Sequence, residues 1–241
     1  MTRLVAAVAA VVVVAGCAAV STAPDRTAVL ERIIASSVQL RAELDPDGRR
    51  SGSGVVVASD AASARSLIVT TRHLLQPTRP RSITAIVPGH SRPLPVEIVA
   101  VSDEHDLSVV AIQGLTLRPV TMKDMTRLGE EVWVVGFPWG RRLTAVSGVV
   151  SQVAGDDDTR IAGPARMVDA SVSYGTSGAG VFEASTGALV AIVEGYRTAR
   201  VALPQSPESV LHIPVPGETT VVSAAGIRKL LSTATPGPRS P

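Results

Sequence analysis

Apolar residues in this chain come mostly in short runs rich in Val, Ile and Leu, separated by Gly, Pro, Ser and Asp. That pattern predicts strands rather than helices. A first series is expected at Val38–Leu44, Gly54–Ala58, Leu67–Thr70, Ile83–Val87, Val96–Val101 and Leu107–Ile112. A connecting stretch, Gln113–Gly129, separates it from a second at Val132–Val135, Ala145–Val153, Met167–Val172, Ala179–Phe182 and Ala188–Glu194. The two series read as two β-barrels, over about residues 36–113 and 128–226. Helical spacing occurs only near the ends. Val29, Leu30, Ile33 and Ile34 give a short stripe within Thr27–Ala35, with Thr27 or Asp25 available as cap, and Ile227, Leu230 and Leu231 mark a closing helix over Val221–Leu231. The Pro-, Gly- and Ser-rich segment 233–241 is expected to be a disordered tail. No internal repeat is evident.

Composition sharpens this picture. With 241 residues and 45% hydrophobic content, the chain can bury a full core in one compact unit covering about residues 29–232. Aromatic residues make up only 2%, so β-branched and aliphatic side chains must fill that core, which favours an all-β class. The formal net charge is +2 and the arginines are scattered, so the basic patch of a nucleic-acid binder is missing and no such partner is expected.

The first residues read as an address. Arg3 precedes the apolar run Leu4–Ala15, which is too short for the roughly 20 residues that span a bilayer, so residues 1–16 are expected to be a secretory signal. The run ends in Val14-Ala15-Gly16-Cys17, which resembles the lipobox of bacterial lipoproteins and implies lipidation at Cys17 and attachment to a membrane. Residues 17–28 would then form a tether, and the protein is expected to be exported and held at the cell envelope. Cys17 is the single cysteine, so no intramolecular disulfide can form.

Candidate chemistry lies in three segments. A serine hydroxyl needs a neutral imidazole to take its proton, and the imidazole needs a carboxylate to fix its tautomer. His73 ends the strand-like Leu67–Thr70, Asp106 opens the apolar run Leu107–Ile112, and Ser177 sits in Gly175-Thr176-Ser177-Gly178-Ala179-Gly180. The order is His, Asp, Ser. Glycines around Ser177 let the backbone turn sharply, so that the N–H groups of Gly175 and Ser177 can serve as an oxyanion hole. His90 reads as a turn residue, His105 as exposed and His212 as packed, while Asp103 and Glu104 are decoys beside Asp106. A histidine base of ordinary pKa about 6.5 predicts hydrolysis that rises between roughly pH 6 and 8. The acidic run Asp156-Asp157-Asp158 lacks alternating ligand spacing; neither a metal nor another cofactor is expected.

Together with Gly52-Ser53-Gly54-Val55-Val56, Gly136-Phe137-Pro138-Trp139-Gly140 and Val146-Ser147-Gly148-Val149-Val150-Ser151, these segments resemble the trypsin-like serine peptidases, and most closely their bacterial Deg/HtrA-type branch. The resemblance runs over about residues 36–231. It implies two six-stranded antiparallel barrels with the site between them, and an endopeptidase acting on polypeptides through His73, Asp106 and Ser177. The resemblance also implies a primary pocket lined by Ser171, Ile192 and Val193, while the 46 residues after Gly195, part of them in the closing helix, are too few for the PDZ domain common in that branch, so a module without one is expected. Ser171 stands where trypsin-like enzymes carry aspartate, which argues for a small aliphatic residue before the scissile bond, unless the Glu194 carboxylate faces inward. Thr176 cannot form the zymogen-activating carboxylate salt bridge. Ala179 and Gly180 depart from the usual Gly-Gly-Pro and are expected to loosen the oxyanion loop. The alternative is a catalytically inactive, lipid-anchored binding module on the same fold. An α/β-hydrolase order, Ser177 with Glu194 or Glu208 and His212, is formally available, but no Gly-x-Ser-x-Gly elbow precedes a helix here.

Overall fold

The computed structural model describes residues 25–44, 48–76, 80–155, 159–203 and 206–234. Cys17, the leader and residues 235–241 lie outside them, as does Asp156-Asp157-Asp158. A first helix, α1 (Arg26–Ala35), starts where the Asp25 carboxylate accepts a hydrogen bond from Thr27 N–H at 2.9 Å, so half of the expected cap choice is resolved in favour of Asp25. Then come β1 (Ser37–Glu43), β2 (Arg49–Asp60), β3 (Arg65–Thr70), β4 (Ser82–Ile86), β5 (Leu94–Val101) and β6 (Ser108–Gln113). The second half contains β7 (Thr126–Arg127), β8 (Glu131–Gly136), β9 (Thr144–Val153), β10 (Ala162–Gly163), β11 (Ala165–Asp169), β12 (Gly180–Glu183), β13 (Leu189–Leu203), β14 (Ser206–Ser223) and α2 (Ala224–Ala234).

Six strands close into barrel one in the order β1-β2-β3-β6-β5-β4, and six more into barrel two as β11-β14-β13-β12-β8-β9, with β7 and β10 pairing separately. All pairings within the barrels are antiparallel. Each barrel has its own aliphatic filling: Val38, Leu40, Val56, Ile68 and Val110 in the first, and Val132, Val150, Val168, Val181 and Val190 in the second. A third cluster welds the two together. Val55, Val69, Leu107 and Val109 from barrel one meet Val135, Phe182, Leu189 and Ile192 from barrel two, and Ile33 of α1 and Ile227 of α2 close over them. Phe182 is fully buried there, and its removal from water contributes about 1.5–3 kcal/mol.

The sixth strand of barrel two, β14, escaped the sequence reading. It carries Pro207, Pro214, Pro216 and Gly217, residues that normally break a ladder. They are accommodated because β13 and β14 run on past the barrel as a two-stranded ribbon with Thr198 opposite Pro214 and Arg200 opposite His212. Two expectations change accordingly. His212 is exposed on this ribbon rather than packed, its Nδ1 lying 3.4 Å from Thr198 Oγ1. Val221–Ser223 belong to β14, so the closing helix begins at Ala224 and continues through Thr233 and Ala234, into the segment expected to be tail.

Candidate active site

β3 hands the chain to a single 3-10 turn, Arg72–Leu74, that carries His73 at its centre. Leu74 and Leu75 are buried and hold the turn against barrel one, while Arg72 Nη1 donates to the carbonyls of Ser102 at 2.8 Å and Asp103 at 3.2 Å. This guanidinium draws the histidine turn onto the loop that presents Asp106. Fully buried Leu107 pins the other side of that loop, and its carbonyl accepts from Ser102 N–H at 2.9 Å.

His73 and Asp106 are joined twice. Asp106 Oδ2 lies 2.5 Å from His73 Nδ1, and Asp106 Oδ1 accepts the His73 backbone N–H at 2.8 Å. Burial opposes ionisation of Asp106, but the hydrogen bond from the His73 ring, its charge and the backbone bond outweigh that cost and hold the carboxyl below its ordinary range. Nδ1 therefore carries a proton toward an ionised carboxylate, and Nε2 is left to accept one. The neighbouring acids are engaged elsewhere or face water. Glu104 binds Lys229 of α2 at 2.6 and 2.8 Å, and Asp103 is exposed. His90 and His105 are exposed as well.

Ser177 reaches the same cleft from barrel two. The turn that bears it needs glycine at two places. Gly178 has φ +82°, and a Cβ there would fall 2.0 Å from the Ser53 carbonyl oxygen; Gly175 has φ +87°, and a Cβ would fall 2.8 Å from Trp139 N. The Ser177 carbonyl accepts from Ser53 N–H at 2.8 Å, and its hydroxyl donates to the Glu194 carbonyl at 3.3 Å. Ala179 is fully buried, and Gly180 opens β12 beneath the Phe182 ring, so the two departures from Gly-Gly-Pro are packed into the barrel wall.

His73, Gly175 and Ser177 line one cleft of about 530 Å3 between the barrels. Of the three residues expected to form its pocket, only Val193 borders the cleft, and its side chain is 1% exposed, packed in the filling of barrel two. Ile192 points the other way along β13 and is fully buried in the inter-barrel core. Ser171 lines a separate cavity of about 210 Å3 with Pro138, Val146 and Thr176. On this side the cleft is lined by Val172, Ser173, Tyr174, Glu194, Gly195 and Tyr196. Across from these lies Arg50, whose Nη1 donates to the carbonyls of His73 at 3.2 Å and Gln76 at 2.8 Å. None of Arg50, Tyr174 and Tyr196 stood out in the sequence, because each is a lone polar or aromatic residue in an unremarkable run. Among the described residues no group of three or more His, Cys, Asp or Glu is placed to hold a metal ion, and no helix is long and apolar enough to cross a membrane.

The fold is shared with solved peptidase structures. An HtrA-type protease, AlgW, with a serine-to-alanine substitution and a tripeptide, superposes with a TM-score of 0.67 at 16% identity, covering 87% of this chain and 63% of that one. Rv3671c from Mycobacterium tuberculosis, an inactive form of a serine mutant, gives 0.61 at 18% identity, covering 88% and 94%. In sequence, the serine protease PepD of M. tuberculosis is 28% identical over 170 residues, 62% of this chain and 34% of its own length. The periplasmic pH-dependent serine endoprotease DegQ of Escherichia coli is 27% identical over 132 residues, 53% of this chain and 27% of its own. The chain thus spans about a third or less of these two relatives. Residues 52–192, more than half of the chain, match the trypsin-like peptidase domain, and the protein belongs to that family.

Proposed function

We propose that this protein is a serine endopeptidase acting on extracytoplasmic polypeptides, exported and held at the envelope by a lipid on Cys17. The observation that carries the reading is the pair of hydrogen bonds between His73 and Asp106, with His73 lining the same cleft as Ser177. In this mechanism Ser177 Oγ leaves the Glu194 carbonyl by rotation about χ1, gives its proton to His73 Nε2 and attacks the scissile carbonyl. Asp106 keeps Nδ1–H in place and stabilises the imidazolium. The developing oxyanion is received by the N–H groups of Gly175 and Ser177. His73 then protonates the leaving amine, and the same imidazole activates the water that hydrolyses the acyl-enzyme. No cofactor takes part.

The export and anchoring part of the reading rests on the Arg3–Cys17 pattern and on kinship with an endoprotease described as periplasmic. One observation favours the second reading, an inactive binding module: the Ser177 hydroxyl is bonded to the Glu194 carbonyl. Digestion of an unfolded protein such as reduced, alkylated casein separates the two. Discrete fragments from wild type and none from Ser177→Ala support the peptidase; intact casein with both, from folded protein, supports the binding module.

A further inference from the structure

We propose that Ser53 is a positioning residue for the oxyanion-binding turn, acting together with the backbone of Trp139; the proposal rests on the hydrolytic reading above. Ser53 lies in β2 of barrel one, 1% exposed, and each of its polar atoms is committed to the turn or to the strand behind it. Its N–H donates to Ser177 O at 2.8 Å, and its carbonyl accepts from Thr70 Oγ1 at 2.8 Å. Its hydroxyl accepts the Phe137 N–H at 2.9 Å and lies 3.1 Å from the Gly175 carbonyl. A backbone N–H can only donate, and a carbonyl can only accept, so the single hydroxyl proton is directed at Gly175 O. Ser53 therefore bridges the loop after β8 to the turn that bears Ser177.

The peptide before Gly175 is fixed by a second bond. Tyr174 O accepts from Trp139 N–H at 2.6 Å. In a trans peptide the carbonyl and the following N–H point in opposite directions, so holding Tyr174 O toward Trp139 sends Gly175 N–H away from that loop. Trp139 itself sits at φ +57° and ψ 17°, a left-handed conformation that bulky residues avoid; among the described residues Ala64 is the one other non-glycine with positive φ. Its ring rests against the Tyr174 ring, with centroids 5.6 Å apart. Strain of this kind persists where the surroundings impose it, and here it lies beside the proposed oxyanion site. With both carbonyls that flank Gly175 N–H tied down, the donor is set before substrate arrives. Release of either would let a peptide rotate and put a carbonyl where the oxyanion must bind.

Steady-state hydrolysis of a chromogenic peptide by wild type and Ser53→Ala tests this, alongside fluorophosphonate labelling and thermal melting. The expected result is a folded variant whose kcat falls about 10- to 100-fold, somewhat less than the 100- to 1,000-fold typical of deleting a donor outright, with KM within about twofold and an unchanged midpoint in the pH profile. Unchanged kcat in folded Ser53→Ala overturns the proposal, as does a loss confined to KM, or a shifted pH midpoint, which would assign Ser53 to His73. Should Ser53→Ala fail to fold, an amide-to-ester replacement at position 139, made with the α-hydroxy analogue of tryptophan, takes its place, since it removes the N–H that holds Tyr174 O without forcing φ away from its positive value; unchanged kcat there is equally fatal. Wild type that is folded and never labels sinks the hydrolytic reading and the proposal with it. Wild type that labels while Ser53→Ala labels at the same rate sinks the proposal alone.

Discussion

Barrel one supplies its part of the cleft from within itself. His73 and Asp106 are 33 positions apart, yet they sit on the ends of paired strands β3 and β6 and are tied by two direct hydrogen bonds. Barrel two does otherwise. Ser177 and its turn are held from both sides of the interface: by Ser53 N–H and Ser53 Oγ across it, and within barrel two by Trp139 N–H on Tyr174 O and by Gly178 N–H on Val193 O. The hydrogen bonds of the acid–base pair thus lie within barrel one, whereas two of those that hold the nucleophile turn exist only where the barrels meet. Preorganisation on one side is local chemistry; on the other it is a property of the whole fold.

The largest way to break the contrast is to spoil the acid–base half chemically while leaving its shape. Asp106→Asn should lower kcat by about 10,000-fold, because the amide no longer favours the tautomer with a free Nε2, while fold and KM stay near wild type. Peptide hydrolysis and circular dichroism check both. Next comes the nucleophile half. Gly178→Ala brings a Cβ onto the Ser53 carbonyl at a positive φ, and should cost at least about 2 kcal/mol of stability and abolish labelling of Ser177. Denaturant unfolding and mass spectrometry report these, and a stable, labelled variant would mean the turn is not held across the interface.

A gentler test uses pH. Asp106 has its carboxyl held below the ordinary range in the folded state, so its ionised form adds stability that is complete above the unfolded value of about 3.9 and is lost as pH falls through the lower folded value. The difference in melting temperature between wild type and Asp106→Asn should therefore be largest near pH 6 and shrink below about pH 4. The smallest effect is expected from Lys229→Ala. It severs the exposed pair with Glu104 on the far side of the Asp106 loop, and both kcat and melting temperature should stay unchanged within error.

Strands buried on both sides announced themselves in the sequence. Val55–Val57 and Val109–Ile112 are continuous apolar runs, and nothing but a core strand suits them. His73 and Asp106 were legible for a related reason: each polar residue ends or opens such a run. β14 was not, since its ribbon portion lies outside the barrel, where prolines cost little and alternation is not enforced. Ile192 and Val193 show another limit. Adjacent strand residues face opposite sides, and here Ile192 faces the inter-barrel core and Val193 the filling of barrel two, an arrangement set by how the second barrel closes and docks. Ser53 was hidden by distance. Its hydroxyl partners are 84 and 122 positions away, and no local pattern in Gly52-Ser53-Gly54 points to them.

Labelling with a biotinylated fluorophosphonate, with the adduct located by peptide mass spectrometry, tests most directly whether Ser177 is a nucleophile driven by His73. One adduct on Ser177, lost in His73→Ala, is the expected result. An unlabelled Ser177 in folded protein, or labelling that His73→Ala leaves intact, would contradict it.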